Sequence, residues 1–109
     1  MNLDCTVSSH VLDAVSGRPA ESLRITLFRL DDGIAKPIHS ASTNADGRVS
    51  DWHTGQGPHR LRFETGSWFA AKGVEAFYPE VDIAFSVAEG HYHVPLLLSP
   101  FAYSTYRGS

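Results

Sequence analysis

The chain has 109 residues, of which 42% are hydrophobic and 19% charged, and its formal net charge is −3 at pH 7. These values are typical of one globular domain over residues 1–109 and argue against a disordered chain. The acidic balance gives no support to a nucleic acid or an anionic membrane as partner, and no apolar run approaches the roughly 20 residues that span a bilayer.

The cysteine count and the two ends of the sequence indicate a compartment. A single cysteine, Cys5, cannot form an internal disulfide and fits a reducing environment. Residues 1–5 lack the basic and then apolar pattern of a signal peptide, and the last three residues are no peroxisomal address. The expected location is the cytoplasm.

Short alternating segments fill the first half of the chain. Residues 23–30 and 37–42 are predicted strands, and the Asp-Asp-Gly of residues 31–33 is a hairpin loop between them. Residues 44–47, Asn-Ala-Asp-Gly, predict a turn from which Arg48 begins another strand. Residues 5–13 alternate with period two, which places Val7, Ser9 and Val11 on one face and Thr6, Ser8, His10 and Leu12 on the other.

The second half continues the pattern, with predicted strands over residues 59–64 and 81–87. The only helical signal covers residues 67–72, where Ser67 can cap the first turn and Gly73 can end the last. About eight short strands separated by turns every 8 to 12 residues predict an all-β sandwich of two sheets.

The C-terminal segment predicts a hairpin. Residues 91–98 and 101–106 are strand-like, and Ser99-Pro100 is a turn signal between them. Pro95 removes a ladder donor in mid-strand, so we expect an edge position or a bulge there. By parity, His91, His93, Pro95 and Leu97 share an outer face, Val94, Leu96 and Leu98 share the core face, and Ser104, Tyr106 and Gly108 alternate against Tyr103, Thr105 and Arg107.

The chain contains six histidines. His39, His53 and His59 are interpreted as surface residues or hydrogen-bonded core residues. His10 projects from the outer face of its strand, and His91 and His93 share a face, so spacing alone does not choose between those two. A neutral imidazole can accept a proton from water, and a guanidinium can hold a planar, carbonyl-rich ring. Covalent catalysis is not favoured, because there is no Gly-x-Ser-x-Gly motif and Cys5 has no Cys-His signature.

Several motifs resemble one protein family. The segments are Ser9-His-Val-Leu-Asp-Ala-Val-Ser-Gly-Arg-Pro19, Thr43-Asn-Ala-Asp-Gly-Arg48, Phe77-Tyr-Pro-Glu-Val81, Tyr92-His-Val-Pro-Leu-Leu-Leu-Ser-Pro100 and Tyr103-Ser-Thr-Tyr-Arg-Gly-Ser109. They are similar to the 5-hydroxyisourate hydrolase branch of the transthyretin family, and the Tyr-Arg-Gly-Ser ending is specific to that branch. The resemblance implies a transthyretin-like sandwich that hydrolyses 5-hydroxyisourate to 2-oxo-4-hydroxy-4-carboxy-5-ureidoimidazoline in urate degradation, with no metal and no cofactor.

The resemblance also implies the site residues. His93 occupies the family's catalytic position in His-Val-Pro-Leu-Leu-Leu, which makes His91 peripheral. The catalytic set is His10, Arg48 and His93. The substrate-binding set is His10, Arg48, Tyr106, Arg107 and Ser109, where the Ser109 carboxylate can orient an imidazole or pair with Arg107.

Three other interpretations remain open from the residues. A transthyretin-like carrier of a small aromatic ligand is one, although the hormone-carrying branch has Lys in place of His10 and Thr in place of His93. A metal site formed by His10, His91 and His93 is the second, since His-x-His on a strand is a known zinc geometry. A purely structural sandwich is the third.

The outer face also predicts an assembly. Leu12, Pro95, Leu97 and Tyr106 project to the same side as His10 and His93, and one sheet alone forms no concave pocket. The resemblance implies a homotetramer in which two such faces meet around a two-fold axis and share each cleft, with residues 106–109 at the mouths.

Overall fold

The computed structural model describes residues 5–109, which form nine strands and one short helix. The predicted sandwich of two sheets is confirmed, and the additional strand is a two-residue segment, β2, where only a turn was expected. Residues 1–4, which belong to the predicted domain range and to the segment checked for a signal peptide, lie outside the described residues. The elements are β1 Cys5–Asp13, β2 Arg18–Pro19, β3 Arg24–Asp31, β4 Ile34–Ser42, β5 Arg48–Thr54, β6 Gly57–Phe63, α1 Thr65–Ala70, β7 Val81–Val87, β8 Gly90–Ser99 and β9 Ala102–Thr105.

The two sheets have different pairing. One has the order β4-β3-β6-β7 and is antiparallel throughout. The other has the order β2-β1-β8-β9, with β5 also paired to β1. In this second sheet β1 and β8 run parallel, although they come from opposite ends of the chain. A parallel pair needs a long crossover, and here the chain between β1 and β8 contains all four strands of the opposite sheet, the helix, and also β2 and β5.

The core lies between the two sheets and follows the predicted period of two. Val7 and Val11 on β1 have no exposed surface, and on β8 Leu96 and Leu98 are at most 1% exposed. The opposite sheet contributes the buried side chains of Ile25, Leu27, Leu61 and Phe63. Each such side chain contributes about 1.5–3 kcal/mol by leaving water. Burial of this face therefore fixes which side chains remain on the outer face of β1 and β8.

The helix begins two residues before the predicted position. Ser67 is not its N-cap, because the Ser67 hydroxyl donates to the carbonyl of Glu64 at 3.3 Å and no side chain caps the first turn. Packing holds the helix instead, since Trp68 is 8% exposed. Gly73, with φ of 71°, follows the last turn as expected. No helix among residues 5–109 is long and apolar enough to cross a membrane.

The expectation for Pro95 was wrong. β8 is an interior strand between β1 and β9, so Pro95 is at no edge. The pairs Leu96–Thr105 and His93–Gly108 on either side of it share one register, so no bulge is present either. The missing donor instead leaves a gap at which β9 ends, and the Thr105 hydroxyl donates to the Pro95 carbonyl at 2.7 Å.

Candidate functional site

Three strands of one sheet bring His10, Arg48 and His93 to the same outer face. His10 lies directly opposite Arg48 in the antiparallel pair of β1 and β5. His93 lies opposite Ser8 in the parallel pair of β1 and β8. Because Ser8 and His10 share a face of β1, the His93 side chain is next to His10. The parallel pairing therefore groups residues that are 83 positions apart in the sequence.

The turn before β5 fixes the position of Arg48. The side-chain oxygen of Asn44 accepts hydrogen bonds from the backbone N–H groups of Asp46 and Arg48, each at 3.0 Å. Gly47 has φ of 74°, and a Cβ there would lie 2.5 Å from the carbonyl oxygen of Val11, so the turn requires glycine. The N–H of Val11 donates to the Gly47 carbonyl at 2.8 Å, which attaches the turn to β1. The Arg48 side chain is exposed and forms no ion pair within residues 5–109.

The His93 ring is half-buried and held from two sides. Its Nδ1 is 2.7 Å from the hydroxyl of Ser8. On the other side, the backbone N–H of Gly108 donates to the His93 carbonyl at 2.8 Å. A Cβ on Gly108 would lie 2.5 Å from Cδ2 of the ring, so the ring occupies space that any side chain at position 108 would fill. Within the part of the chain that is described, no hydrogen bond reaches Nε2 of His93, which leaves that nitrogen available on the outer face.

Both site histidines are electrostatically biased toward the neutral form. Burial lowers the pKa of His93, and the charges of Arg48, His91 and His10 lower it further. Burial is also the largest cause of the lowered pKa of His10, followed by Arg48, while the backbone and carboxylate of Asp46 act in the opposite direction. Starting from an ordinary value near 6.5, both imidazoles are neutral at pH 7.

This arrangement suits one kind of chemistry. A neutral imidazole with a free ring nitrogen can take a proton from a water molecule. A guanidinium beside it can stabilise the negative charge that develops on a carbonyl oxygen under attack. The grouping of His10, Arg48 and His93 can therefore support addition of water to an amide-like carbonyl.

The C-terminal tail divides between the two faces of the sheet. The register of the pairs Leu96–Thr105 and His93–Gly108 puts Tyr106 opposite Pro95, so by alternation Tyr106, which is 59% exposed, lies on the same face as His93. Arg107 is on the opposite face, where its guanidinium carbon is 4.4 Å from the centre of the Tyr92 ring. Among residues 5–109 no ion pair joins Arg107 to the exposed Ser109. By this alternation Tyr106 lies with the three candidate catalytic residues and Arg107 does not. The substrate-binding roles of Tyr106, Arg107 and Ser109 all stay predictions.

Sequence analysis missed a set of hydrogen bonds behind His93. His91, interpreted as peripheral, has its Nδ1 2.8 Å from the Thr6 hydroxyl and its Nε2 3.1 Å from the Ser8 hydroxyl. The rings of His91 and His93 are stacked with centroids 6.4 Å apart. The alternation of β1 placed Thr6 and Ser8 on the outer face, but only the register of β1 against β8 shows what they contact.

The alternative metal site of His10, His91 and His93 is not formed. Among residues 5–109 no group of three or more His, Cys, Asp or Glu side chains is arranged to hold a metal ion. A cavity of about 700 Å³ lies between α1 and the β1–β2 turn, lined by charged residues that include Asp13, Arg18 and Lys72, and it contains none of the three grouped residues. The candidate site is an open sheet face in one chain.

Comparison with known proteins agrees with this fold. Residues 7–108 match the model of the HIUase/Transthyretin family. A curated relative from Rhizobium meliloti, named 5-hydroxyisourate hydrolase 2, is 43% identical to this chain over 94% of the chain and 95% of the relative.

Solved structures show the same similarity in three dimensions. The 5-hydroxyisourate hydrolase of Klebsiella pneumoniae has a TM-score of 0.88 and 37% identity, and the alignment covers 96% of this chain and 99% of that one. Sea bream transthyretin in complex with thyroxine has a TM-score of 0.87 and 31% identity, over 94% and 93% of the two chains. Fold similarity extends both to a hydrolase and to a transthyretin that was solved with thyroxine bound, so the fold alone does not distinguish an enzyme from a carrier and the side chains of the site have to do so.

Proposed function

The chain belongs to the HIUase/Transthyretin family, and from this premise we propose that it hydrolyses 5-hydroxyisourate to 2-oxo-4-hydroxy-4-carboxy-5-ureidoimidazoline in urate degradation. The named relatives support a hydrolase of this kind. The observation that carries the proposal is the grouping of His10, Arg48 and His93 on one sheet face. The carrier alternative is less well supported, because two neutral imidazoles beside a guanidinium suit proton transfer better than passive binding.

The first step is activation of water. Nε2 of His93 accepts a proton from a water molecule as its oxygen attacks the ring carbonyl carbon of the substrate. Burial and the nearby cations keep the pKa of His93 low, so the ring is neutral and able to accept that proton at pH 7. His10, whose pKa is lowered in the same way, lies on the adjacent strand within reach of the same substrate.

The second step is cleavage of the cyclic amide. Arg48 stabilises the oxyanion of the tetrahedral intermediate with its forked N–H donors. The carbon–nitrogen bond then breaks, the carbonyl carbon becomes a carboxyl group, and the leaving nitrogen takes a proton from a ring N–H of a site histidine. Water is thereby added across one bond, and each histidine returns to its neutral form.

Substrate binding requires more than one open face. We assign ring contacts to His10, Arg48, Tyr106, Arg107 and Ser109. In the assembly that the family resemblance implies, a homotetramer, two faces meet and each cleft receives side chains from two subunits. A residue such as Arg107, which lies away from its own His93, can then contribute at a cleft mouth.

The proposed reaction uses no metal, since imidazole and guanidinium groups supply both proton transfer and charge stabilisation. Exhaustive chelation followed by assay should leave full activity. Stoichiometric zinc in elemental analysis, with activity lost on its removal, would contradict the assignment.

The proposed location is the cytoplasm. This proposal rests on the lone Cys5, which is a buried free thiol.

A direct assay tests the function. Freshly generated 5-hydroxyisourate is added to the protein, and its ultraviolet absorbance is followed against the slower spontaneous decay. The proposal predicts a decay rate proportional to protein concentration and identification of the ureidoimidazoline product by NMR. Binding of an aromatic ligand with no acceleration of the decay would support the carrier instead.

A further inference from the structure

Four side chains form a continuous hydrogen-bonded chain from the candidate site to the protein surface. β1 supplies two hydroxyls and β8 two imidazoles, in the directly opposed pairs Thr6–His91 and Ser8–His93. The contacts are 2.8 Å from Thr6 to Nδ1 of His91, 3.1 Å from Nε2 of His91 to Ser8, and 2.7 Å from Ser8 to Nδ1 of His93. His93 is half-buried and His91 exposed, so the chain connects the site to solvent.

The single hydroxyl proton of Ser8 couples the tautomers of the two imidazole rings. Ser8 has one hydroxyl proton, so it can donate to only one of the two imidazoles that contact it and must accept from the other. A neutral imidazole has one N–H and one lone pair, so the choice made at Ser8 also fixes the tautomers of His91 and His93. Only two uninterrupted arrangements of the chain exist.

The two arrangements give Nε2 of His93 opposite roles. In the first, Nδ1–H of His93 donates to Ser8, Ser8 donates to Nε2 of His91, and Nε2 of His93 has a free lone pair. In the second, every bond is reversed, Ser8 donates to Nδ1 of His93, and Nε2 of His93 has a proton to give. The first arrangement prepares a general base and the second a general acid.

We propose that Ser8 and His91 are positioning residues which, by reversing this hydrogen-bonded chain, switch Nε2 of His93 from proton acceptor to proton donor. The inference rests on the proposed function and adds to it a way for one histidine to serve both halves of a hydrolysis. Arg48, His10 and His91 face His93 from β5, β1 and β8, and all three disfavour a charged ring. Relaying the proton therefore costs less than retaining it at His93.

Protons move along the chain in four linked transfers. Nε2 of His93 takes a proton from the attacking water while Nδ1 gives its own proton to Ser8. The Ser8 hydroxyl passes its proton to Nε2 of His91, and Nδ1 of His91 releases one toward Thr6 and solvent. One proton enters the chain, one leaves it, and His93 is again neutral, now with its proton on Nε2. When Nε2 gives this proton to the leaving nitrogen, Nδ1 of His93 takes the proton of Ser8, and Ser8 takes the Nε2 proton of His91. A proton from solvent returns through Thr6 to Nδ1 of His91, which restores the first arrangement.

A simpler explanation is that these bonds only hold β1 against β8. The neighbouring residue offers a matched control for that role. The hydroxyl of Ser9, on the core face, donates to the carbonyl of Val94 at 2.7 Å and so joins the same two strands without contact to His93. Loss of that bond would weaken the strand pair and leave the chain of Thr6, His91 and Ser8 intact.

The experiment compares four variants: Ser8→Ala, Ser8→Thr, His91→Phe and Ser9→Ala. We expect Ser8→Ala and His91→Phe to lower kcat by about 10-fold or more, since a fully engaged acid or base contributes about 100-fold, while KM changes little. Both should also alter the pH dependence of kcat. Ser8→Thr, which keeps the hydroxyl, should retain most of the rate. Ser9→Ala should lower the melting temperature and leave kcat unchanged.

A measurement without substrate separates this inference from the proposed function. In ¹⁵N NMR spectra, His91→Phe should change the tautomer population of His93, and it should have no such effect when Ser8 is already Ala. The inference is wrong if His93 shifts are the same in all these variants, or if Ser9→Ala reduces kcat as much as Ser8→Ala. If Ser8→Ala does not fold, the exposed position of His91 lets His91→Phe decide alone. Failure of the wild type to hydrolyse 5-hydroxyisourate would refute the proposed function and leave the NMR result standing.

Discussion

Two small residues determine how the His93 ring lies on its strand. Ser8 holds Nδ1 at 2.7 Å, and the absent side chain of Gly108 leaves the space that Cδ2 occupies. Around the ring, Arg48 and His10 lower its pKa. The orientation of this ring matters for the rate, because misplacement of a reacting group by about 1 Å can lower the rate on the order of 100-fold.

The first prediction concerns the three grouped residues. We expect His10→Ala, Arg48→Ala and His93→Ala each to lower kcat/KM by about 100-fold or more, through loss of proton transfer or of oxyanion stabilisation. Steady-state kinetics with 5-hydroxyisourate measures this, and circular dichroism checks that the variants remain folded. Equal activity of the His93 variant and the wild type would overturn the assignment.

His39 provides the control for that series. It lies on β4 of the opposite sheet, where its ring stacks on Trp52 at a centroid distance of 5.6 Å and its Nε2 contacts the carbonyl of His53. His39→Ala removes an imidazole of the same size from a place that does not face the substrate. Its kcat/KM should match that of the wild type.

The second prediction tests the contact between Gly108 and His93. Because a Cβ at position 108 would lie 2.5 Å from Cδ2 of the ring, Gly108→Ala should displace the imidazole and lower kcat/KM by about 10-fold or more. If the effect acts through the ring, Gly108→Ala should cause no further loss in a His93→Ala background. An additive loss in the double variant would show that Gly108 acts on substrate or assembly by another route.

At the scale of elements, β6 contains a histidine with a structural role. His59 has no exposed surface, its Nε2 is 2.7 Å from the Thr54 hydroxyl, and its Nδ1 is 2.9 Å from the carbonyl of Gly57. Its ring also stacks against Phe85 on β7. Of the two roles predicted for His59, a surface residue or a hydrogen-bonded core residue, the structure shows the second, and these contacts close the short connection between β5 and β6.

The third prediction follows from that burial. His59→Ala should lower the free energy of unfolding by about 2–4 kcal/mol, because it opens a cavity and leaves the Thr54 hydroxyl without its partner. Urea denaturation measures the loss. The kcat/KM of the folded fraction should stay near that of the wild type, since His59 lies on the other sheet. A large loss of kcat/KM with unchanged stability would contradict the structural role.

We also expect His59 to make the stability of the fold depend on pH. Burial lowers the pKa of His59 in the folded state, so between that value and an unfolded pKa of about 6.5 the unfolded chain binds a proton that the folded chain does not. The free energy of unfolding should therefore fall as the pH falls below about 6.5, until the folded pKa is passed. In His59→Gln this part of the slope should disappear, and an unchanged slope would show that other groups cause it.

At the scale of the whole molecule, the outer face of β1 and β8 is incomplete as a binding site. Leu12 and Leu97 are only half-buried in a single chain and Tyr106 is exposed, all beside His10 and His93. Apolar surface of this kind next to polar groups is typical of an interface. A second copy related by a two-fold axis would cover the leucines and turn the open face into a cleft.

The fourth prediction is that assembly. Light scattering should give a mass of about four times 11.9 kDa. Leu97→Glu should break the tetramer and abolish activity, because a buried unpaired charge is strongly unfavourable at an interface. Ile38→Glu, at an exposed position on β4 of the other sheet, is the matched control and should keep both mass and activity. A fully active monomer would refute the shared cleft.

Local rules predicted most of the elements. The Asp-Gly turn before β4 has positive φ at both Asp32 and Gly33, as a tight hairpin requires. The alternation of β1 correctly separated the buried Val7 and Val11 from the outer residues. The helix begins two residues earlier than predicted, because packing of Trp68, and not a capping side chain, decides where so short a helix begins.

The sequence by itself determined which side chains share a face of each strand, because a period of two is a property of the extended backbone. It also contained the motifs that indicate the family, and with them His10, Arg48 and His93. Only the tertiary structure decided that β1 runs parallel to β8 and antiparallel to β5, since pairing between distant strands depends on burial of both sheets together. That pairing sets Ser8 between His91 and His93, and no local pattern encodes a contact across 83 residues.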